Sequence, residues 1–381
     1  EVGHAIGFAH NFAASTQDRA SVMDYPPPRI GLKDGAPDLS DAYGSGIGAW
    51  DKAAVNWLYG TDSEAAAKAK ADAVEAAGQR YITDGDSRAA DAAQPWGALW
   101  DDGADPAAEL TRIMAVRRAA LDLFGLGAMA PGEPMAQLRR KLVPVWLLHR
   151  YQVDAAAKLV GGVAYTYAVA GAGQPQSPPV AADRQRAALA ALLATLDAKA
   201  LHVPDALVPL LSAGAEGNYD RQTAIELFAG AGGPVFDPLV ATDVAAAVTL
   251  NALLAPARLT RLLQQHARDA ALPGLDDMLD QLVAATIDAA HDDVGARIAW
   301  RTIVGLAQAR RDAAGDPNVA SVLDERLVSL ADRLAATKAP WARSLARTLR
   351  NRDDLEALLA AQKNKPAIPP GMPIGDGEDL R

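Results

Sequence analysis

At 381 residues, half of them hydrophobic and with a net charge of −10, the chain is long enough for two or three domains and can bury a large core. The acidic balance argues against a nucleic-acid partner. The absence of cysteine excludes disulfides, thiolate metal sites and a cysteine nucleophile. Alanine is abundant and aromatics make up 5%, which favours helix over sheet, and no stretch is apolar enough to span a bilayer.

The chain opens Glu1-Val2-Gly3-His4-Ala5-Ile6-Gly7-Phe8-Ala9-His10. Glu1, His4, Gly7 and His10 match the last four fixed positions of the pattern H-E-x-x-H-x-x-G-x-x-H, whose first histidine falls immediately before residue 1. Residues three and four apart share a helix face, so a histidine there and His4 could grip one metal ion, with Glu1 beside a metal-bound water. Gly7 tolerates the left-handed conformation that ends helices, and the turn brings back His10 as a third nitrogen. Three nitrogen ligands and one open position are what a catalytic zinc site requires. Zinc would lower the pKa of its water from about 15.7 to about 7, and Glu1 would take the proton and pass it to a leaving amine. Downstream lie Ser21-Val22-Met23-Asp24-Tyr25. Met23 would place a soft thioether beneath the histidines without ligating zinc, and Tyr25 is a candidate for hydrogen-bonding a tetrahedral oxyanion. Taken alone, Met23 and Tyr25 read as packing residues; their order after the histidine pattern is what points to chemistry.

Along the chain, residues 1–9 read as the end of the active-site helix and 11–46 as loop, with Pro26-Pro27-Pro28 in a cleft wall. Ile47–Tyr59 is predicted as a helix stopped by Gly60, and 61–77 as an exposed helix. Residues 78–103 read as loop with a short strand at Tyr81-Ile82. Asp105-Pro106 opens a helix to about Phe124, and Pro134–Lys158 is predicted as another, bent at Pro144. Val160–Val169 is the best strand candidate, and Gly171–Pro179 reads as a linker. Helices are then predicted at 182–199, 204–212, 220–229, 237–254, 256–270, 272–290, 293–313, 319–337, 340–350 and 353–362, with short connections that favour antiparallel packing. The domain expectation is 1–60 as the tail of a catalytic domain, 61–175 as a mostly helical region with a short β element, 180–362 as a helical bundle-like domain and 363–381 as an extended Pro/Gly-rich tail.

Other candidates carry less. His149, His202, His266 and His291 are scattered singly and read as surface or satisfied core histidines, with His291-Asp292-Asp293 at a helix end where aspartate is expected for capping. Asp84, Asp86, Asp101, Asp102 and Asp105 lack the spacing of a calcium loop and read as solvated loop and helix cap. Gly44-Ser45-Gly46-Ile47-Gly48 follows no strand and precedes no Lys-Ser/Thr, which argues against a phosphate cradle.

The segment Glu1–Tyr25 resembles the metzincin clan of zinc peptidases. More closely, EVGHAIGFAHNFAAS followed by SVMDY is similar to the bacterial EcxA-like zinc-dependent metalloproteases, whose zinc-binding region continues into a large helical region. Gly48-Ala49-Trp50-Asp51, Phe236-Asp237-Pro238-Leu239 and the stretch from Pro369 to Gly375 also look family-like. The resemblance implies a mainly α chain: the C-terminal tail of a metzincin-like catalytic domain, then a large helical domain. It implies Zn2+ held by His4 and His10, Glu1 as general base, Met23 beneath the metal, Tyr25 near the oxyanion, and a protein or peptide substrate. It also implies an exported bacterial protein, periplasmic or extracellular, of which this chain is a C-terminal part, inactive without the first zinc histidine. The alternative is a non-catalytic helical interaction or scaffold protein with a degenerate metal site, favoured by the presence of only two of the three histidines. Oligomeric state is not legible.

Overall fold

Alanine-rich stretches form helix almost throughout. The computed structural model describes residues 1–171, 177–214 and 227–362, and it is mainly α, with one two-stranded sheet among the described residues. The chain divides into two compact units, one of Glu1–Ala119 with Tyr151–Ala191, the other of Ala120–Arg150 with Leu192 onward.

In the first unit, α1 (Val2–Ala5) is shorter than the helix expected to Ala9, because Gly7 turns the chain with a φ of +97°. The stretch 11–46, expected as loop, carries an antiparallel hairpin, β1 (Gly31–Lys33) with β2 (Ala36–Asp38), in the register Leu32 opposite Pro37. Its turn is Asp34-Gly35, both at positive φ, the pair that a tight hairpin with two left-handed residues favours. Next come α2 (Ala49–Tyr59) and α3 (Glu64–Ala76), the latter capped by the Ser63 hydroxyl, which accepts the Ala66 amide at 3.2 Å. Residues 78–103 are not all loop: α4 (Asp84–Ser87) sits within them. Tyr81-Ile82 forms no strand; instead the Ile82 carbonyl accepts the Phe12 amide at 2.9 Å.

The helix α5 (Pro106–Leu123) starts as expected, with Asp105 accepting the Ala107 amide at 3.0 Å. The single helix expected over 134–158 is two, α6 (Leu138–Trp146) and α7 (Arg150–Ala157). The break lies at 147–149 and not at Pro144, which α6 tolerates inside its last turn. Val160–Val169 is also corrected. Gly161 turns the chain at a φ of +65°, and among the described residues only one bridge forms here, Val163 with Pro179, with no partner strand to extend a ladder.

In the second unit, α6 anchors through Trp146, whose indole donates to the Ala241 carbonyl at 2.8 Å. The helices that follow are α8 (Ala182–Ala194), which begins in the first unit, α9 (Val208–Leu211), α10 (Pro238–Leu253), α11 (Pro256–Arg268) and α12 (Leu275–Val283), which runs into a π-helical turn at Ala284–Asp288. Then come α13 (Asp293–Asp312), α14 (Pro317–Ala335), α15 (Pro340–Arg350) and α16 (Arg352–Gln362). Asp237-Pro238 and Asp316-Pro317 start α10 and α14 by one device: the carboxylate accepts the first free amides and proline needs none. Helix α10 packs on α13, where the Arg301 guanidinium meets the buried Asp243 carboxylate, Nε to Oδ1 2.8 Å. Among the described residues no single helix is long and apolar enough to cross a membrane; α10 and α11 together pass by length and composition, but they are bent by 46°. Of the helix expected at 220–229, residues 220–226 lie outside the described residues, as does the tail 363–381; residues 227–229 are not helical.

Candidate metal centre

The two motif histidines are brought together by the Gly7 turn. His4 sits in the last turn of α1, and its Nδ1 donates to the carbonyl of Phe8 at 2.8 Å. The turn is closed by the Gly7 amide donating to His4 (3.0 Å) and the Phe8 amide donating to Gly3 (2.9 Å). His10 comes back half-buried, and its Nδ1 donates to the Asp84 carboxylate, 2.9 Å to Oδ2 and 3.1 Å to Oδ1. The rings meet edge to face with centroids 4.5 Å apart, and the two Nε2 atoms are 3.1 Å apart.

That contact has a chemical consequence. A carbonyl and a carboxylate can only accept, so both imidazoles carry their proton on Nδ1. In the neutral rings each Nε2 then presents a lone pair, and two lone pairs face each other. Such an arrangement suits a cation between them. Two nitrogens each about 2.0–2.1 Å from one tetrahedral zinc would lie roughly 3.3 Å apart, close to the separation present. The donor set therefore fits zinc as far as it goes. Among the described residues no group of three or more His, Asp or Glu side chains is placed to hold a metal. Glu1 itself is exposed at the start of α1, one turn before His4.

Met23, 7% exposed, lies against α1. Its thioether packs directly on Gly3: a Cβ there would stand 2.1 Å from the sulfur. Tyr25 lies beside His10, ring centroids 4.7 Å apart, and against Phe12 at 5.3 Å. The segment is clamped by the first turn of α2. The buried Asp51 carboxylate accepts the Ser21 hydroxyl (2.6 Å), the Val22 amide (2.9 Å) and the Gly48 amide (2.7 Å), and the Ser21 oxygen accepts the Met23 amide (2.8 Å). At its other end α2 reaches α1 through the Tyr59 hydroxyl, which donates to the Ile6 carbonyl at 2.8 Å.

A family model described as Met-zincin matches residues 1–293. The chain belongs to the Met-zincin family. No curated protein and no solved structure matches it.

In this Met-zincin several residues at the site escaped the sequence reading. Asp84 is the plainest. The acidic loop to which it belongs is not simply solvated: Asp84 holds His10, Asp86 accepts two tyrosine hydroxyls, Asp101 is buried, Asp102 pairs with Arg29 and only Asp105 is a plain cap. Burial alone would raise the Asp84 carboxyl, but the hydrogen bonds from Arg88 and His10 outweigh it and hold the group below its ordinary range. Asp84 lies 74 residues from His10, and no local pattern announces that pairing. Asp51 could have been suspected, since it stands three residues after Gly48 at a helix start. The remaining histidines belong to the second unit. His149 is fully buried, the His266 Nδ1 donates to the Leu272 carbonyl at 2.7 Å, and Asp292 beside His291 caps α13.

Proposed function

We propose that the protein is a zinc-dependent endopeptidase in which His4, His10 and a histidine immediately before Glu1 hold the metal. The observation that carries this reading is the approach of the His4 and His10 Nε2 atoms to 3.1 Å, with each ring held by an acceptor at its own Nδ1. Bound zinc would supply a polarised carbonyl and an acidic water. Glu1 would receive the water's proton and hand it to the departing amine. The Tyr25 hydroxyl would donate to the oxyanion, and Met23 would carry the two imidazoles from below. The substrate is a protein or peptide. By its likeness to the EcxA-like enzymes, the protein is a bacterial one that works outside the cytoplasm.

The test uses the full-length protein. It should purify with one zinc per chain and cleave casein or a peptide library, and a chelator should abolish cleavage. Glu1→Gln should keep the zinc and lower turnover by roughly 10²- to 10⁴-fold, the usual loss of a general base. The rival is a helical interaction protein with a degenerate metal site, favoured by the two-histidine set among the described residues. Absence of zinc uptake by the full-length protein would sink the peptidase reading and leave this one.

A further inference from the structure

His10 is one of two metal-facing imidazoles, and its orientation rests on a residue that lies on another element. Asp84 is the first residue of α4. One carboxylate oxygen receives His10 Nδ1 at 2.9 Å, and the other receives Arg88 Nε at 2.8 Å. Arg88 in turn lies over two rings of the site, 5.6 Å from the Phe12 centroid and 5.7 Å from that of Tyr25, and it also meets the Tyr25 hydroxyl.

The support continues behind α4. Asp86 accepts the hydroxyls of Tyr165 (2.5 Å) and Tyr167 (2.6 Å), and the Tyr167 oxygen accepts the Thr83 amide at 3.2 Å. The Ser87 hydroxyl donates to the Thr83 carbonyl at 2.9 Å. These bonds tie α4 to the segment around residue 165 and fix where the Asp84 carboxylate points. A four-residue helix would otherwise have little to hold it.

We propose that Asp84 is a positioning residue for His10. It locks the imidazole in the Nδ1-protonated tautomer and in one ring plane, so that Nε2 turns its lone pair towards His4. A free neutral imidazole places its proton on either nitrogen. With the proton on Nε2, His10 would point a hydrogen at the metal position and have no electron pair to give. Such outer partners of ligating histidines typically change metal affinity by roughly 10- to 100-fold when removed. The proposal rests on the zinc reading for its consequence, while the tautomer itself is a property of the chain without metal.

Two measurements separate the two. First, the ring nitrogen shifts of His10 are read by 15N NMR in the chelator-treated chain at a pH where the ring is neutral. The native chain should show the proton on Nδ1. Asp84→Ala should let it redistribute to Nε2, while Asp84→Asn, which keeps an acceptor oxygen, should largely preserve the native pattern. A purely structural role would leave the tautomer alike in all three, and that result overturns the proposal. Second, zinc affinity is measured on the full-length protein by competition with a chromophoric chelator. Asp84→Ala should weaken it roughly 10- to 100-fold, with Asp84→Asn between. If the tautomer follows Asp84 but the native full-length protein takes up no zinc, the peptidase reading fails and the hold on His10 stands. If zinc binds equally tightly to all three, Asp84 does not position a ligand.

Discussion

At the scale of single residues, the site depends on positions that a motif leaves free. Gly3 occupies a variable place in the histidine pattern, yet the Met23 sulfur fills the space where its side chain would be. Gly3→Ala should push Met23 aside and cost about 1–3 kcal/mol, the usual range for overpacking a filled site. Urea unfolding of the first unit's tryptophan signal would register it. Because Met23 lies under α1, the same variant should also loosen the His4–His10 pair. An unchanged midpoint would mean that the thioether has room to move and that Gly3 is there for other reasons. The histidines, Glu1 and Met23 stand out in the sequence by spacing alone, since they fall within one helix, one turn and one following loop. Asp84 could not, because its pairing with His10 is made across 74 residues.

At the scale of elements, the first turn of α2 is the clamp on the segment that bears Met23 and Tyr25. Gly48 approaches the backbone so closely that a Cβ would stand 1.9 Å from the Ala20 carbonyl oxygen, and Asp51 gathers three donors. Asp51→Ala leaves Ser21, Val22 and Gly48 without that acceptor and should destabilise the fold by about 2–3 kcal/mol, given the cost of orphaned donors beside a lost charged acceptor. Denaturant melts would check this, and a change below about 0.5 kcal/mol would show that water replaces the carboxylate. Helices were legible at this scale because their caps and period are written in adjacent residues, as Asp105-Pro106 and Asp237-Pro238 show. The Asp34-Gly35 hairpin had a local signal too, but proline-rich surroundings hid it. Val160–Val169 failed in the opposite way: its β-branched content looks like strand, but a strand exists only with a partner.

For the molecule as a whole, two buried acids, both bonded to Ser15, link stability to pH. Asp24 and Asp101 are 5% and 3% exposed. Asp24 accepts the Ser15 amide (2.9 Å) and the Tyr25 amide (2.7 Å), and the Ser15 hydroxyl donates to one Asp101 oxygen (3.1 Å), while the other Asp101 oxygen has no hydrogen-bond partner among the described residues. Burial pushes Asp24 up to about 7, with the Asp102 charge adding and the two backbone amides opposing. Burial and the Asp24 charge push Asp101 well above the usual carboxylate range. An unfolded aspartate titrates near pH 4, roughly three units lower. The folded chain thus keeps a proton that the unfolded chain has lost. The stability that this contributes is complete below about pH 4 and disappears as pH rises through about 7. Tm should therefore fall between pH 5 and pH 8, and Asp101→Asn should flatten the decline. A Tm that rises across that window would sink this account of the buried acids.

The amino-acid sequence alone determined the histidine pattern with its glycine turn, the helical character of the chain and most helix starts, because each is set by residues within a turn or two of one another. Tertiary structure decided which acceptor fixes each imidazole, what fills the space under Gly3 and which acids lose their water. Those outcomes depend on burial and on partners brought from distant stretches: Asp84 to His10, Asp51 to Ser21, and Asp101 to Ser15. Hydrogen-bond commitment and desolvation belong to the folded neighbourhood and not to the residue, so Asp84 and Asp105, equal members of one acidic loop in the sequence, become a histidine partner and a helix cap.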